Sequence, residues 1–336
     1  MNGRGRCFAD STGRLLVTGP TASIGPVELK RGSFPITSIL LLLVGVFCCA
    51  TSVLMIKASQ LHPALLSSYR LLLSAALLSP LYVYNLRKHR REFAGRNFRL
   101  TLLPATLLAF HFITWTQGAQ WTHAANATLI VCMVPVAMPF LLYSTIGEKI
   151  TMTEVVGTAM ALGGAIWLTA SDFWVSRQTL MGDITCFLSM LFFAFYLVQA
   201  RANSDFPSIW LYVVPLYAAA GVICLFIAFF AVRPMTLPAP REFLIIIGLA
   251  LVPTVLGHSI LNHAMRHLRG QTVSVVNLFQ FVFAGVMAYF LYGEVPRPVF
   301  YAAGGLVVAG AIIVIRAMAS TAEGERAAEE ASTPEV

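Results

Sequence analysis

The sequence predicts an all-α, polytopic membrane protein whose ten transmembrane helices form two inverted five-helix repeats. Three observations lead to this fold class. The 336 residues are 57% hydrophobic and only 11% charged, whereas soluble domains are about 25% charged. Long apolar stretches recur along most of the chain, and short motifs return at a nearly constant offset. The composition excludes most soluble enzymes and nucleic-acid-binding proteins.

Ten apolar stretches have the length of about 20 residues that an α-helix needs to cross a membrane. Strands of a barrel would be shorter and would alternate in polarity, and soluble helices average only about 11–12 residues. Short linkers that hold Pro, Gly or charged residues separate the stretches. The predicted spans, first to tenth, are 36–57, 64–85, 100–119, 124–143, 150–170, 182–201, 208–231, 242–264, 272–292 and 297–316.

The tails and the basic residues predict the orientation of the chain. Residues 1–35 are predicted to form a polar tail without a cleavable signal peptide, and residues 319–336 an acidic, disordered tail. With ten spans both tails lie on one side, which would hold 17 of the 23 Lys and Arg residues. Five lie on the opposite side and one, Arg70, within the second span. Because basic residues concentrate on the cytoplasmic side, we expect a multi-pass protein of a bacterial-type inner (plasma) membrane with both termini cytoplasmic.

An internal repeat divides the apolar part of the chain. The matched positions lie 146 or 147 residues apart, and they are Gly147-Glu148 with Gly293-Glu294, Gly157 and Gly163 with Gly304 and Gly310, and His111 with His258.

Each repeat therefore holds five spans, the first over residues 36–170 and the second over 181–316. Since five is odd, the second repeat enters the membrane upside down relative to the first. Inverted repeats recur in secondary transporters, where they place a substrate site at the repeat interface.

Short motifs along the spans carry a family resemblance. They are Phe47 to Lys57, Tyr69-Arg70 followed by three leucines, Pro135 to Glu148, Gly182-Asp183 with Phe193 to Tyr196, and Gly293-Glu294. In order and spacing the chain resembles the EamA family of the drug/metabolite transporter superfamily over residues 37–316.

This resemblance implies a secondary transporter that works by alternating access. Its expected substrates are amino acids, related metabolites or amphiphilic drugs, with export favoured over uptake. One departure is Phe281, which stands where the family pattern and Pro135 suggest proline. Without proline, a straighter ninth helix is expected.

Polar side chains at membrane depth are costly and usually face a cavity or a partner helix. Those in the third, fourth, eighth and ninth spans, which the repeat pairs, are predicted to line one central cavity. Amides both donate and accept hydrogen bonds, which suits zwitterionic or polyfunctional solutes, and tryptophan can stack on a cation. The alternative is that these groups only join neighbouring helices. The predicted substrate-binding residues are His111, Trp115, Asn126, His258, Asn262, Asn277 and Gln280.

Three charged residues are assigned to gates or helix ends. Glu148 and Glu294 end the fourth and ninth spans. Arg70 lies six residues inside the second span. For Arg70 the sequence favours snorkelling to the outer interface, or a structural pairing, over binding of an anionic substrate.

Other functions are disfavoured by the motifs. The sequence has neither HExxH nor GxSxG, which mark metalloproteases and serine hydrolases, so no enzyme is expected, and no cofactor, metal or nucleic acid is indicated. The expected partners are the lipid bilayer and a small-molecule substrate, and a homo-oligomer is left open. The remaining alternatives are an uptake or exchange carrier for a nucleotide-like or sulfonium metabolite, and a non-transporting membrane sensor.

Overall fold

The computed structural model describes residues 7–9, 15–17, 36–90, 95–122, 124–170, 177–233, 238–292 and 298–332. Side chains at some helical positions within these ranges, Asn126 among them, lie outside the described part. The chain divides into two units, Met1–Ser33 and Phe34–Val336.

The first unit contains an antiparallel strand pair, β1 (Cys7–Ala9) and β2 (Leu15–Val17). Phe8 lies opposite Leu16 in this ribbon. The strands coincide with the two short apolar runs of the otherwise polar first 35 residues.

The second unit is helical, and the predicted fold class is confirmed. In the part of the chain that the structure describes, nine helices are long and apolar enough to cross a membrane. The fifth predicted span is a further helix of 19 residues. The helices are α1 (Ile36–Ala58), α2 (Pro63–Lys88), α3 (Gly95–Leu100), α4 (Leu102–Trp121), α5 (Ala124–Cys132), α6 (Val134–Ile146), α7 (Met152–Ala170), α8 (Arg177–Ala202), α9 (Ile209–Ala231), α10 (Pro240–Leu249), α11 (Ser259–His267), α12 (Gly270–Asn277), α13 (Phe279–Tyr292) and α14 (Pro298–Ser332).

The expectation of a straighter ninth helix is wrong, because the ninth span divides at Leu278 into α12 and α13. Two tight hydrogen bonds flank the break, from Leu278 N to Val275 O at 3.1 Å and from Phe281 N to Leu278 O at 3.2 Å. The fourth span divides at Met133 into α5 and α6 through the same i to i+3 pattern. The break thus recurs in both repeats, and proline is not needed for it.

The eighth span contains a π-helical segment, Ala250–His258, between α10 and α11. Pro253 lies inside it and has no backbone N–H to donate to the helix. Wider turns of this kind are rare and often occur at functional sites. The equivalent third span is a continuous helix, α4, so the two repeats differ here.

The helices pack in pairs that the repeat relates. α2 packs on α9 and α7 on α14, so the second and fifth helices of each repeat meet their own counterparts. α4 packs on α8, and α1 packs in the equivalent way on the π-helical segment and α11. The core therefore lies between the two repeats. We call the end of the bundle at which α1 begins the near end, and the opposite end the far end.

Small residues bring α7 and α14 close together. A Cβ added to Gly157 would lie 2.7 Å from Gly310 O, and one added to Gly164 would lie 2.8 Å from Ala303 O. Nothing lies within 4 Å of the corresponding position at Gly163. Of the four glycines noted in the sequence, Gly157 and Gly310 thus make the reciprocal contact.

The predicted disordered tail from residue 319 is wrong through residue 332, because α14 continues to Ser332. Residues 319–332 are rich in Ala and Glu, which have high helix propensity. They extend a helix that the preceding apolar span has already nucleated.

Candidate functional site

A central cavity of about 20 Å³ lies between the two repeats. It has room for about one water molecule, so in this conformation it is too small to hold a metabolite. The lining side chains come from the first, third, fourth, sixth, eighth and ninth spans. They are Cys49, Ser52, His111, Trp115, Val131, Phe193, His258 and Gln280.

The third span contributes His111 and Trp115, which are four residues apart on one face of α4. His111 Nδ1 lies 2.8 Å from Ser189 Oγ, and its ring stacks on Phe193 with 4.6 Å between centroids. The indole N–H of Trp115 donates to Ser52 Oγ at 3.4 Å. Both predicted residues therefore line the cavity. His111 also contacts the second repeat, and Trp115 contacts the first helix of its own repeat.

The eighth span contributes His258, at the end of the π-helical segment. Its ring meets the edge of Phe112, with centroids 4.9 Å apart. Within the described residues His258 Nδ1 is buried without a hydrogen-bond partner. An acceptor or donor of a solute could therefore pair with this nitrogen.

Asn262 lies one turn further along α11 and is fully buried. Its amide nitrogen donates to Tyr196 OH and to His258 O at 2.6 Å. Its Oδ1 has no partner within the described part of the chain. Asn262 thus stands behind His258 and does not line the cavity.

The break in the ninth span lies between Asn277 and Gln280. Gln280 Nε2 donates to Asn277 Oδ1 at 2.6 Å, while Asn277 Nδ2 lacks a partner in the described structure. Only Gln280 of this pair lines the cavity. The side chain of Asn126 and the whole of Glu294 lie outside the described residues.

Arg70 does not snorkel and does not lie at a helix end, because its side chain is fully buried beside the cavity. Its Nε and Nη2 donate to Thr254 Oγ1 at 3.1 and 2.9 Å, and its Nη1 to Ser52 Oγ at 3.4 Å. The guanidinium carbon lies 4.1 Å from the centroid of the Phe112 ring. Thr254 and Ser52 were not predicted, since small hydroxyl residues in apolar runs carry no sequence signal of their own.

At the near end, Glu148 joins the two repeats. Its Oε2 lies 3.2 Å from Arg201 Nε, and its Oε1 accepts from Gly270 N at 3.3 Å. Arg201 also donates from Nη1 to Met265 O at 3.2 Å. Gly147, with a φ of 71°, adopts the left-handed conformation that ends α6 and so directs the chain to this contact.

A second near-end contact, between Glu154 and Arg269, was not among the predicted site residues. Arg269 donates from Nε to Glu154 Oε1 at 2.8 Å and from Nη2 to Oε2 at 3.1 Å. Glu154 also accepts from Thr151 N at 2.8 Å, while its own N–H donates to Thr151 Oγ1. The Thr-x-x-Glu spacing of a capping box was the available signal.

At the far end, Lys57 Nζ donates to Thr122 O at 2.5 Å. Thr122 Oγ1 in turn donates to Asp183 Oδ1 at 2.6 Å. Glu242, at the start of α10, accepts from Ser59 Oγ at 2.6 Å. Polar contacts between the repeats thus close the bundle at both ends of the cavity.

Comparison with protein families gives a match over most of the chain. The model of the EamA-like transporter family matches residues 36–170 and again residues 180–316. The two matches coincide with the two groups of helices described above.

Two curated proteins are similar to the chain. An uncharacterized transporter of Archaeoglobus fulgidus is 25% identical over 216 residues, which is 62% of this chain and 75% of that protein. A probable terminal-alkyne amino-acid exporter of Streptantibioticus cattleyicolor is 24% identical over 226 residues, 65% of this chain and 72% of that protein.

A protein of known crystal structure has a similar fold. The TM-score is 0.69 at 15% identity, and the similarity covers 84% of this chain and 98% of that one. At this identity the likeness concerns the fold alone.

Proposed function

Because the chain belongs to the EamA-like transporter family, we propose that it moves a small organic metabolite across the inner (plasma) membrane by alternating access, with export as its direction. The observation that carries the proposal is the cavity between the repeats, whose lining includes Ser52, His111, Trp115, His258 and Gln280. Polar groups at this depth are retained at a cost. A solute of matching polarity would satisfy them.

The proposed solute is an amino acid or an amphiphilic relative of one. The Streptantibioticus protein, named a probable amino-acid exporter, supports both the class and the direction. Gln280 and His258 supply neutral hydrogen-bonding groups, and Trp115 and Phe193 supply aromatic faces. Asn262 and Asn277 would hold the lining residues in place from behind, through their contacts with His258 O and Gln280.

Alternating access would need the contacts at the two ends to open in turn. The near end is held by Glu148 with Arg201 and by Glu154 with Arg269, and the far end by Thr122 with Asp183, where Lys57 also binds Thr122 O. Opening one set while the other stays intact would expose the cavity to one side only. On the basic-residue count, the near end would be cytoplasmic.

The function can be tested in whole cells by mass spectrometry of metabolites in medium and cytosol. The intact chain is compared with a His258→Leu/Gln280→Leu double variant and with Phe290→Leu, a matched control on a strongly exposed side chain of α13. We expect a few amine-bearing solutes to shift outward with the intact chain and with the control only.

Two results would contradict this proposal. Accumulation of the solutes inside the cells would mean uptake in place of export. Equal metabolite profiles for all three chains, at equal abundance in the membrane, would favour a sensor that does not transport.

A further inference from the structure

The buried charge of Arg70 has no acidic partner among the residues that the structure describes. The ion pairs formed by described residues are Arg201 with Glu148 and Arg269 with Glu154. In the sequence, each of the 15 acidic residues falls in a tail, in a linker or within about two turns of a helix end. The Arg70 guanidinium contacts the hydroxyls of Thr254 and Ser52 and the ring of Phe112, all of which are neutral.

Such an arrangement is expensive for a purely structural contact. Removing a guanidinium from water carries a large desolvation cost, and hydrogen bonds to neutral hydroxyls recover only part of it. A neutral side chain could bond to Thr254 and Ser52 without this cost. The structural contacts therefore do not explain why a positively charged side chain is present at this position.

The Ser52 hydroxyl connects the Arg70 guanidinium to the cavity. Ser52 lines the cavity and accepts both from Arg70 Nη1 and from Trp115 Nε1, each at 3.4 Å. Both distances are long for such bonds, so the Ser52 hydroxyl holds neither donor tightly. An anionic oxygen at this position would be a stronger acceptor for both donors.

A second polar group of the cavity lining fits the rest of such a solute. His258 Nδ1 is buried and lacks a hydrogen-bond partner among the described residues. In one of its two tautomers this nitrogen accepts a hydrogen bond. It would suit an ammonium or amide group better than a second anion.

We propose that Arg70 binds the carboxylate of the transported solute, which displaces Ser52 and Thr254 as partner of the guanidinium. This inference rests on the proposed function and adds to it the group that selects the substrate. The site then takes solutes with one acidic group, because a single buried cation balances a single negative charge. A doubly charged phosphate ester would leave one charge uncompensated.

The test uses the full-length chain in lipid nanodiscs and two matched probe pairs, L-leucine with L-leucinamide and L-phenylalanine with L-phenylalaninamide. The shift of the thermal unfolding midpoint with probe concentration gives the apparent affinity. Three variants are compared with the intact chain: Arg70→Gln, Arg70→Lys and Thr254→Val. Thr254→Val removes the main neutral partner of Arg70 and leaves its charge, so it separates a structural from a binding role.

We expect the acids to stabilise the intact chain and the amides to do so at least about tenfold more weakly, since a hydrogen bond to a charged group is lost. Arg70→Gln should lose the preference for acids, Arg70→Lys should keep it at reduced affinity, and Thr254→Val should keep it in full. If Arg70→Gln does not fold, the proposal is tested by the ratio of acid affinity to amide affinity, measured in the intact chain and in Thr254→Val.

Stabilisation by amides equal to that by acids, or none by any acid, overturns the assignment of Arg70. A loss of the preference in Thr254→Val equal to that in Arg70→Gln would also overturn it, because the arginine would then only position the π-helical segment. The whole-cell experiment separates this failure from that of the proposed function. Metabolite efflux that persists in Arg70→Gln would support the proposed transport and contradict only the role given to Arg70.

Discussion

Lys57 and Arg201 lie at equivalent places at opposite ends of the bundle. Each is in the last turn of the first helix of its repeat. Lys57 Nζ donates to Thr122 O at 2.5 Å, and Arg201 Nη1 donates to Met265 O at 3.2 Å. Both carbonyls lie at the C-terminal end of the third helix of a repeat, where helix carbonyls lack intrahelical partners. The same contact therefore occurs within each repeat, at opposite ends of the bundle.

Loss of the near-end contact should open the cavity from that side. Arg201→Gln removes the ion pair with Glu148, and we expect Cys49, which lines the cavity, to react several-fold faster with a membrane-impermeant thiol reagent applied to the near side. Cys49→Ala in the same background identifies the labelled thiol. An unchanged rate would mean that Arg201 does not hold the near end closed.

The far end should respond in the mirror-image way. Lys57→Gln removes the hydrogen bond to Thr122 O, so labelling of Cys49 should increase from the far side and stay low from the near side. Reagent applied to inside-out and right-side-out vesicles measures both rates. Faster labelling from both sides would contradict a contact that acts at one end only.

The close approach of α7 and α14 should depend on Gly157. A Cβ there would lie 2.7 Å from Gly310 O, a backbone atom, and 2.8 Å from Val314 Cγ2. We expect Gly157→Ala to lower the free energy of unfolding by about 1–3 kcal/mol through overpacking. Gly163→Ala, six residues away in open space, is the matched control and should be neutral or stabilising. Thermal unfolding midpoints in one detergent compare the two.

The Glu154–Arg269 pair should contribute measurably to stability. The Glu154 side chain is 1% exposed and that of Arg269 is 19% exposed, so breaking the pair leaves a buried carboxylate unpaired. Arg269→Gln should cost about 3 kcal/mol, at the low end for buried pairs because Arg269 is partly solvated. Arg241→Gln, whose guanidinium lies 3.4 Å from Ala58 O, should cost little. Equal midpoints for the two variants would contradict the role given to Glu154.

Acid should weaken the start of α2 through His62. This residue caps α2, with Nδ1 accepting from Ala64 N at 3.3 Å, and partial burial lowers the pKa of His62 below the usual histidine value of 6.5. Because the folded state then binds the proton less well than the unfolded state, stability is highest above about pH 6.5 and decreases as the pH falls toward the lowered pKa. Unfolding midpoints between pH 8 and pH 5 measure the effect. His62→Asn, which keeps a cap but does not titrate, should flatten this part of the profile.

The composition and the apolar spans were sufficient to predict the membrane class, the repeats and most helix bounds. They were not sufficient to predict local features inside the spans. The break at Leu278 occurs without the proline that marks its counterpart near Met133, and α14 extends past its predicted end. Such details follow from packing between helices, which a single span does not encode.

For the candidate site, the sequence identified polar residues at membrane depth. A polar side chain within an apolar span is costly and therefore stands out in the sequence. His111, Trp115, His258 and Gln280 line the cavity, whereas Asn262 and Asn277 lie behind it. Helical spacing places residues on a common face, but it does not determine which residue of that face meets the cavity.

The sequence by itself determined that the chain belongs in a membrane and that it holds two similar halves, because long apolar segments and repeated motifs are visible without a structure. Only the tertiary structure decided the partners of each polar group. Arg70 illustrates the difference, because its charge is visible in the sequence. That it is fully buried on Thr254, 184 residues away along the chain, depends on the packing of α2 against the π-helical segment of the other repeat.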